Sequence, residues 1–144
     1  MEQLKLSNQG EKLISLYEKM AMEGYSRTDG IKVESAFNDF ELKKFRNICK
    51  YNLSHEDIKT VLDYGSGGSN WDAPGFEPTT GETAKQFFNI EKVSTFEPAR
   101  NLTTKEKSDC VVCMDVLEHI FIADIPHVVN ELLSLSRKLL ILNV

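Results

Sequence analysis

No stretch of this 144-residue sequence is long and apolar enough to cross a bilayer; the best candidate is interrupted by Asp115, Glu118 and His119. Met1 to Lys5 lack a basic segment followed by an apolar run, so no signal peptide is expected and the expected compartment is the cytoplasm. Cysteines number three, and so sparse and odd a set excludes a disulfide framework. Basic residues are outnumbered, 17 Lys and Arg against 22 Asp and Glu. The resulting formal charge of −5 argues against a partner held by phosphate neutralisation, so no nucleic acid is expected. Internal repeats and low-complexity tracts are absent as well. What remains is ordinary for a folded protein: 41% hydrophobic and 27% charged residues, in a chain long enough for a core without staples. A single domain is expected over 1–144, with a helical leading segment, 1–57, ahead of a core, 58–144.

In the leading segment Leu13, Ile14, Leu16, Tyr17, Met20 and Ala21 recur at helical spacing, and turn formers between Gly24 and Gly30 break the pattern. A second helical stripe runs through Phe37, Phe40, Phe45, Ile48 and Cys49. Both helices are expected to cover a sheet, and the polar link at 25–29 is of the kind that closes over a pocket. From residue 58 the texture changes to short apolar runs, which predict strands at 58–64, 93–96, 109–114 and 138–144. Between them lie a weak helical stripe over 83–90 and a stronger one after Asp124, a candidate cap, with Ile125, Val128, Val129, Leu132 and Leu133 inward. Pro126 is tolerated in the first turn of that helix. The strands are continuous apolar runs, as when helices cover both faces, so the alternation predicts an α/β fold with an open, mostly parallel sheet. Cys110 and Cys113 spell C-x-x-C, but three residues apart on a strand they point to opposite faces. They are expected to be core cysteines.

The chemistry concentrates at Val61-Leu62-Asp63-Tyr64-Gly65-Ser66-Gly67-Gly68-Ser69, where a strand ends in an acid and runs into small residues. Glycines there let the chain turn sharply and let a ligand approach the backbone, and the carboxyl end of a central parallel strand is where open sheets bind ligands. A nicotinamide fingerprint would need glycine at position 70, where Asn70 stands. The looser D-x-G-x-G-x-G fits Asp63, Gly65 and Gly67, with Ser69 in the last place. This stretch resembles motif I of the class I, Rossmann-like S-adenosylmethionine-dependent methyltransferases. Two further segments agree in order. Ser94-Thr95-Phe96-Glu97-Pro98 looks like that family's second strand, and 108–120, with Asp115-Val116-Leu117-Glu118-His119-Ile120, looks like its fourth strand and following turn.

The resemblance implies S-adenosylmethionine as cofactor and methyl transfer to an acceptor; a small molecule is the expected partner, because the charge gives no support for a polyanion. It also implies site residues. Backbone N–H groups of Gly65, Ser66, Gly67 and Gly68 would hold the methionine carboxylate, Asp63 would lie near the amino group, and Glu97 would accept from two ribose hydroxyls. Asp115 would face the cleft near the methyl, which makes Asp115 and His119 the weak catalytic candidates. Asp115-x-x-Glu118-His119 resembles the metal-binding E-x-x-E-H of some members, but the first acid is Asp and no further His ligand can be assigned. No metal is therefore expected, and hydrogen bonding of Glu118 and His119 within the turn is the favoured reading. A general-base role for His119 is the weaker option.

Departures from the family are as informative. Glu97 lies further from the glycine turn than the usual twenty or so residues, so 70–78 reads as an insertion at the pocket rim, where Trp71 either stacks on a ligand or packs. The segment from Glu97 to Asp109 is too short for a third strand and its helices, and the antiparallel strands that close the family's sheet have no counterpart before Val144. The expected architecture is thus a Rossmann-like core lacking the third strand and the C-terminal antiparallel strands, preceded by two helices. Two other readings stay open: a cofactor-binding module without activity of its own, a fragment or partner-dependent, and a different nucleotide-binding protein on a similar sheet. The exposed last strand would be an edge through which copies could pair into a homo-oligomer.

Overall fold

A computed structural model describes residues 5–33 and 40–144. The chain runs α1 (Asn8–Glu23), β1 (Tyr25–Ser26), β2 (Lys32–Val33), α2 (Arg46–His55), β3 (Thr60–Tyr64), α3 (Ala84–Phe88), β4 (Lys92–Glu97), β5 (Leu102–Thr103), β6 (Ser108–Met114), α4 (Ile125–Leu135) and β7 (Ser136–Asn143). Five strands form one open sheet in the order β5-β4-β3-β6-β7. The β3–β4, β3–β6 and β6–β7 pairs are parallel, and β5 is antiparallel to β4. This is an α/β fold with a mostly parallel sheet flanked by helices, consistent with a Rossmann-like arrangement. Between β4 and β6 the chain makes only a Pro98–Arg100 turn and the two-residue β5. Among the described residues no helix is long and apolar enough to cross a membrane.

The central strands are apolar throughout because both of their faces are covered. On one face Val61, Cys110 and Val112 pack with Cys49 and Leu53 of α2 and with Trp71, Phe76, Phe87 and Phe88. On the other, Leu62, Val111 and Cys113 pack with Val128 and Leu132 of α4. Cys110 and Cys113 therefore sit in different clusters, as strand geometry requires, and burial pushes both thiols up to about 12. Register between the two central strands is pinned at their amino ends. Asp109 Oδ2 accepts from the Lys59 and Thr60 amides (3.1 and 3.2 Å), and the Asp109 amide donates to Thr60 Oγ1 (2.8 Å).

Several sequence expectations need correction. The helix α1 does not cover the sheet: it packs on the Pro98–Arg100 turn, Leu16 is exposed, and Leu13, Ile14 and Tyr17 face a cavity. In the second stripe Phe37 lies outside the described residues, while Phe45 and Ile48 are exposed. The cause is a change of period. Glu41–Phe45 is a 3-10 turn, whose three-residue repeat brings Leu42 inward and sets Cys49 and Leu53 as the buried face of α2. The link at 25–29 belongs to a two-strand antiparallel hairpin, β1–β2, and its Tyr25 does line the cavity. Leu133, expected inward, is exposed, because α4 turns Val128 and Leu132 to the sheet.

Asp124 does not cap α4 with its side chain. An N-cap oxygen normally accepts from the second or third helical amide, and the second position here is Pro126, which has no N–H. Its buried carboxylate turns instead to Ser7, accepting from the Ser7 amide (2.7 Å) and Oγ (2.8 Å), while Ser7 Oγ in turn accepts from the Gly10 amide and caps α1. A Cβ at Gly10 would stand 2.4 Å from Asp124 Oδ2, so the close approach of α1 to this carboxylate requires glycine.

Truncating the inner face of α4 tests the two-sided core. Leu132→Ala is expected to cost about 2–5 kcal/mol of unfolding free energy in urea titrations, whereas Leu133→Ala should stay within about 0.5 kcal/mol of the wild type.

Candidate functional site

A cavity of about 650 Å³ opens at the carboxyl ends of β3, β4 and β6, within the size range of small-ligand sites. Of the site residues expected from the sequence, Asp63, Gly65, Ser66, Gly67, Glu97, Asp115 and His119 line it, and Gly68 does not. The turn after β3 is built for close approach. Gly65 has φ 74°, and a Cβ on it would stand 2.3 Å from Val116 Cγ2 in the turn after β6. The two strand-end turns thus touch at a point where only glycine fits.

The amides of this turn are not turned to the cavity as expected. Gly65 and Ser66 amides donate to the Phe96 carbonyl (2.7 and 3.2 Å), and the Gly67 amide donates to Glu97 Oε2 (2.9 Å). Three of the four amides assigned to a ligand carboxylate are therefore engaged with β4. Glu97 holds the site together: its other oxygen accepts from the Ala99 amide (3.1 Å) at the Pro98–Arg100 turn. By contrast, Ser66 Oγ is buried, lines the cavity and has no hydrogen-bond partner among the described residues.

Asp63 is buried and accepts from Trp71 Nε1 at 2.8 Å. Burial drives its carboxyl up to about 6; the Trp71 bond opposes that rise and the nearby Glu97 charge adds to it. Trp71 is correspondingly a core residue and not a stacking surface; with Phe76 it anchors 70–78 on the α2–α3 side of the core, and no residue of 70–78 lines the cavity. Asp115 takes the left-handed conformation (φ 53°) and is anchored by the end of β7: Asn143 Nδ2 donates to its Oδ1 (2.7 Å), and its amide donates to the Asn143 carbonyl (3.1 Å). His119 is exposed at the cavity wall, with its ring edge-on to Tyr17 of α1 at 5.9 Å; its amide donates to the Val116 carbonyl. Among the described residues no group of three or more His, Cys, Asp or Glu is placed to hold a metal ion.

Sequence reasoning missed a second set of wall residues. Glu131 of α4 accepts from Tyr64 Oη (2.6 Å) and pairs with Lys105 Nζ (2.7 Å), and His127 Nε2 lies 4.0 Å from its other oxygen. The Lys105 ammonium also stands over the Phe96 ring, 4.5 Å from its centroid. Burial raises the Glu131 carboxyl, but the bonds from Lys105 and Tyr64 and the charges of Lys105 and His127 outweigh it and hold the group below its ordinary value. One signal for part of this set was available. Leu62 and Tyr64 share a strand face, so the Tyr64 hydroxyl had to find an acceptor on the helix covering that face.

Comparison of the chain with protein-family models, with curated proteins and with solved structures finds no match.

Gly65→Ala should destabilise the chain by roughly 1–3 kcal/mol through backbone strain and the Val116 overlap. Combining it with Val116→Ala should recover the steric share while leaving about 1 kcal/mol of backbone cost, measured as a double-mutant cycle in urea.

Proposed function

We propose that the chain binds S-adenosylmethionine in this cavity and transfers its methyl group to a small-molecule acceptor. On this reading the sheet is a class I methyltransferase core without the third strand and the closing antiparallel strands. The observation that carries it is the charge of the cavity wall. Among the described residues six carboxylates line it, Glu41, Asp63, Glu97, Asp115, Asp124 and Glu131, against one lysine, Lys105. A dinucleotide would bring its pyrophosphate among those carboxylates, whereas S-adenosylmethionine brings a sulfonium and an ammonium against one carboxylate.

The donor and acceptor set supports the same ligand. Ser66 offers a buried hydroxyl without a partner among the described residues. Each Glu97 oxygen accepts one backbone N–H, and an ionised carboxylate retains lone pairs for two neighbouring hydroxyls. When bound, the cofactor supplies an electrophilic methyl on sulfur. The chain's part is alignment and exclusion of water, with Leu13, Ile14 and Tyr17 of α1 forming the apolar wall opposite the strand ends. On this reading Asp115, which Asn143 fixes, and His119, which lies against Tyr17, take a proton from the acceptor. The outer edge of β7 supports a second reading, in which the chain is a cofactor-binding module completed by pairing with another strand.

Calorimetry against S-adenosylmethionine, S-adenosylhomocysteine and NAD is expected to show binding of the two sulfur compounds only. A folded chain that binds neither overturns the proposal, and binding without turnover favours the module. Glu97→Gln should weaken binding about tenfold or more, because one hydroxyl acceptor is lost. Only ionised Asp63 attracts a cation, so affinity should fall as pH drops through about 6; Asp63→Asn should flatten that dependence.

A further inference from the structure

Lys105 is the only lysine or arginine on the cavity wall among the described residues, and its ammonium sits in a site that other elements build. The Glu131 carboxylate comes from α4, the Tyr64 hydroxyl that orients it comes from β3, and the Phe96 ring, 4.7 Å from the Tyr64 ring, comes from β4. Lys105 itself belongs to an exposed run, 101–107, and reaches in from the coil between β5 and β6. The receptor is therefore made of packed secondary structure, and the cation arrives on a surface segment.

A carboxylate beside an aromatic face is the chemistry that binds ammonium groups. The Glu131 side chain is only 19% exposed, so leaving it without a cation would be costly, while the Lys105 side chain is 36% exposed and its flexible stem can return the ammonium to water. Exchanging Lys105 for another ammonium keeps Glu131 paired throughout. Neutral ligands and anions gain nothing from the exchange.

We propose that Glu131, Phe96 and Tyr64 form a subsite for the ammonium group of an alkylammonium ligand, and that Lys105 occupies it in the ligand-free chain as an internal competitor. This rests on the proposed function only where it takes the ligand to be the methyl acceptor; the subsite itself needs no cofactor. A nitrogen held here as ammonium has no lone pair for attack, so the contact anchors the ligand and the reacting atom lies elsewhere on it.

The test is a set of titrations of the full chain with n-butylammonium, n-butanol and butyrate, without S-adenosylmethionine, read by calorimetry and by melting temperature. Lys105→Ala removes the competitor and should bind n-butylammonium at least about tenfold more tightly than the wild type. Its lowered melting temperature should be raised by n-butylammonium and by neither of the other two compounds. Adding Glu131→Gln to Lys105→Ala should abolish both effects; if that double variant fails to fold, Phe96→Leu in the Lys105→Ala background should instead cut the gained affinity severalfold. No gain in Lys105→Ala, or equal binding of n-butanol, overturns the subsite. S-adenosylmethionine binding is measured separately on the wild type, so a chain that binds the cofactor but gains no amine affinity refutes this inference alone. A chain that gains amine affinity but binds no cofactor refutes only the proposed function.

Discussion

Burial of β3 and β6 on both faces is the constraint from which the rest follows. Strands without a solvent face cannot place a charged side chain along their length without stranding it in apolar surroundings. Polar groups are therefore pushed to the strand ends, and the two ends are used differently. At the amino ends Asp109 Oδ2 accepts from the Lys59 and Thr60 amides at the start of β3 and fixes register. At the carboxyl ends Asp63, Glu97 and Asp115 meet the glycine turn and the cavity.

The carboxylates divide by how completely the chain satisfies them. Asp124 is buried and receives two hydrogen bonds from Ser7, one to each oxygen, which joins the start of α1 to the start of α4. Glu97 likewise receives one backbone amide on each oxygen and ties the glycine turn to β4. Asp63 is equally buried, yet among the described residues it receives a single hydrogen bond, from Trp71, and its carboxyl is driven to about 6. A buried acid left this poorly compensated costs stability once ionised. The sign is fixed: its folded value lies above the unfolded one, so the stability it lends is full below about pH 4 and is lost as pH rises through about 6.

What could be read from the sequence was whatever local rules decide. Continuous apolar runs located the four parallel strands, and the acid-then-glycine ending of β3 located the turn and the cavity. Spacing along a strand separated Cys110 from Cys113 onto opposite faces. The failures came where a partner distant in sequence decides the outcome. Asp124 reads as a cap until Ser7 offers two donors, although Pro126 at the second helical position already argued against it. Trp71 reads equally as a stacking surface or as core until its indole finds Asp63. Phe45 and Ile48 read as buried because helical spacing was carried through a segment that is 3-10. Glu131, Tyr64 and Lys105 come from a helix, a strand and a coil, and no pattern within any one of them announces the other two.

The weakest wall of the cavity is α1. Its only buried residue is Gly10, and Leu13, Ile14 and Tyr17 face the cavity instead of a packed core. Its amino end is fixed to the body by the Ser7–Asp124 bonds and the tight Gly10 contact, and its flank rests on the Pro98–Arg100 turn, which Glu97 shapes. Elements with little buried apolar surface open at lower cost than the core they cover. The helix is thus held at its amino end and along one flank, and by neither face of the sheet. The same two-sided burial that sets the cavity at the strand ends leaves α1 as the wall that packs against no sheet face.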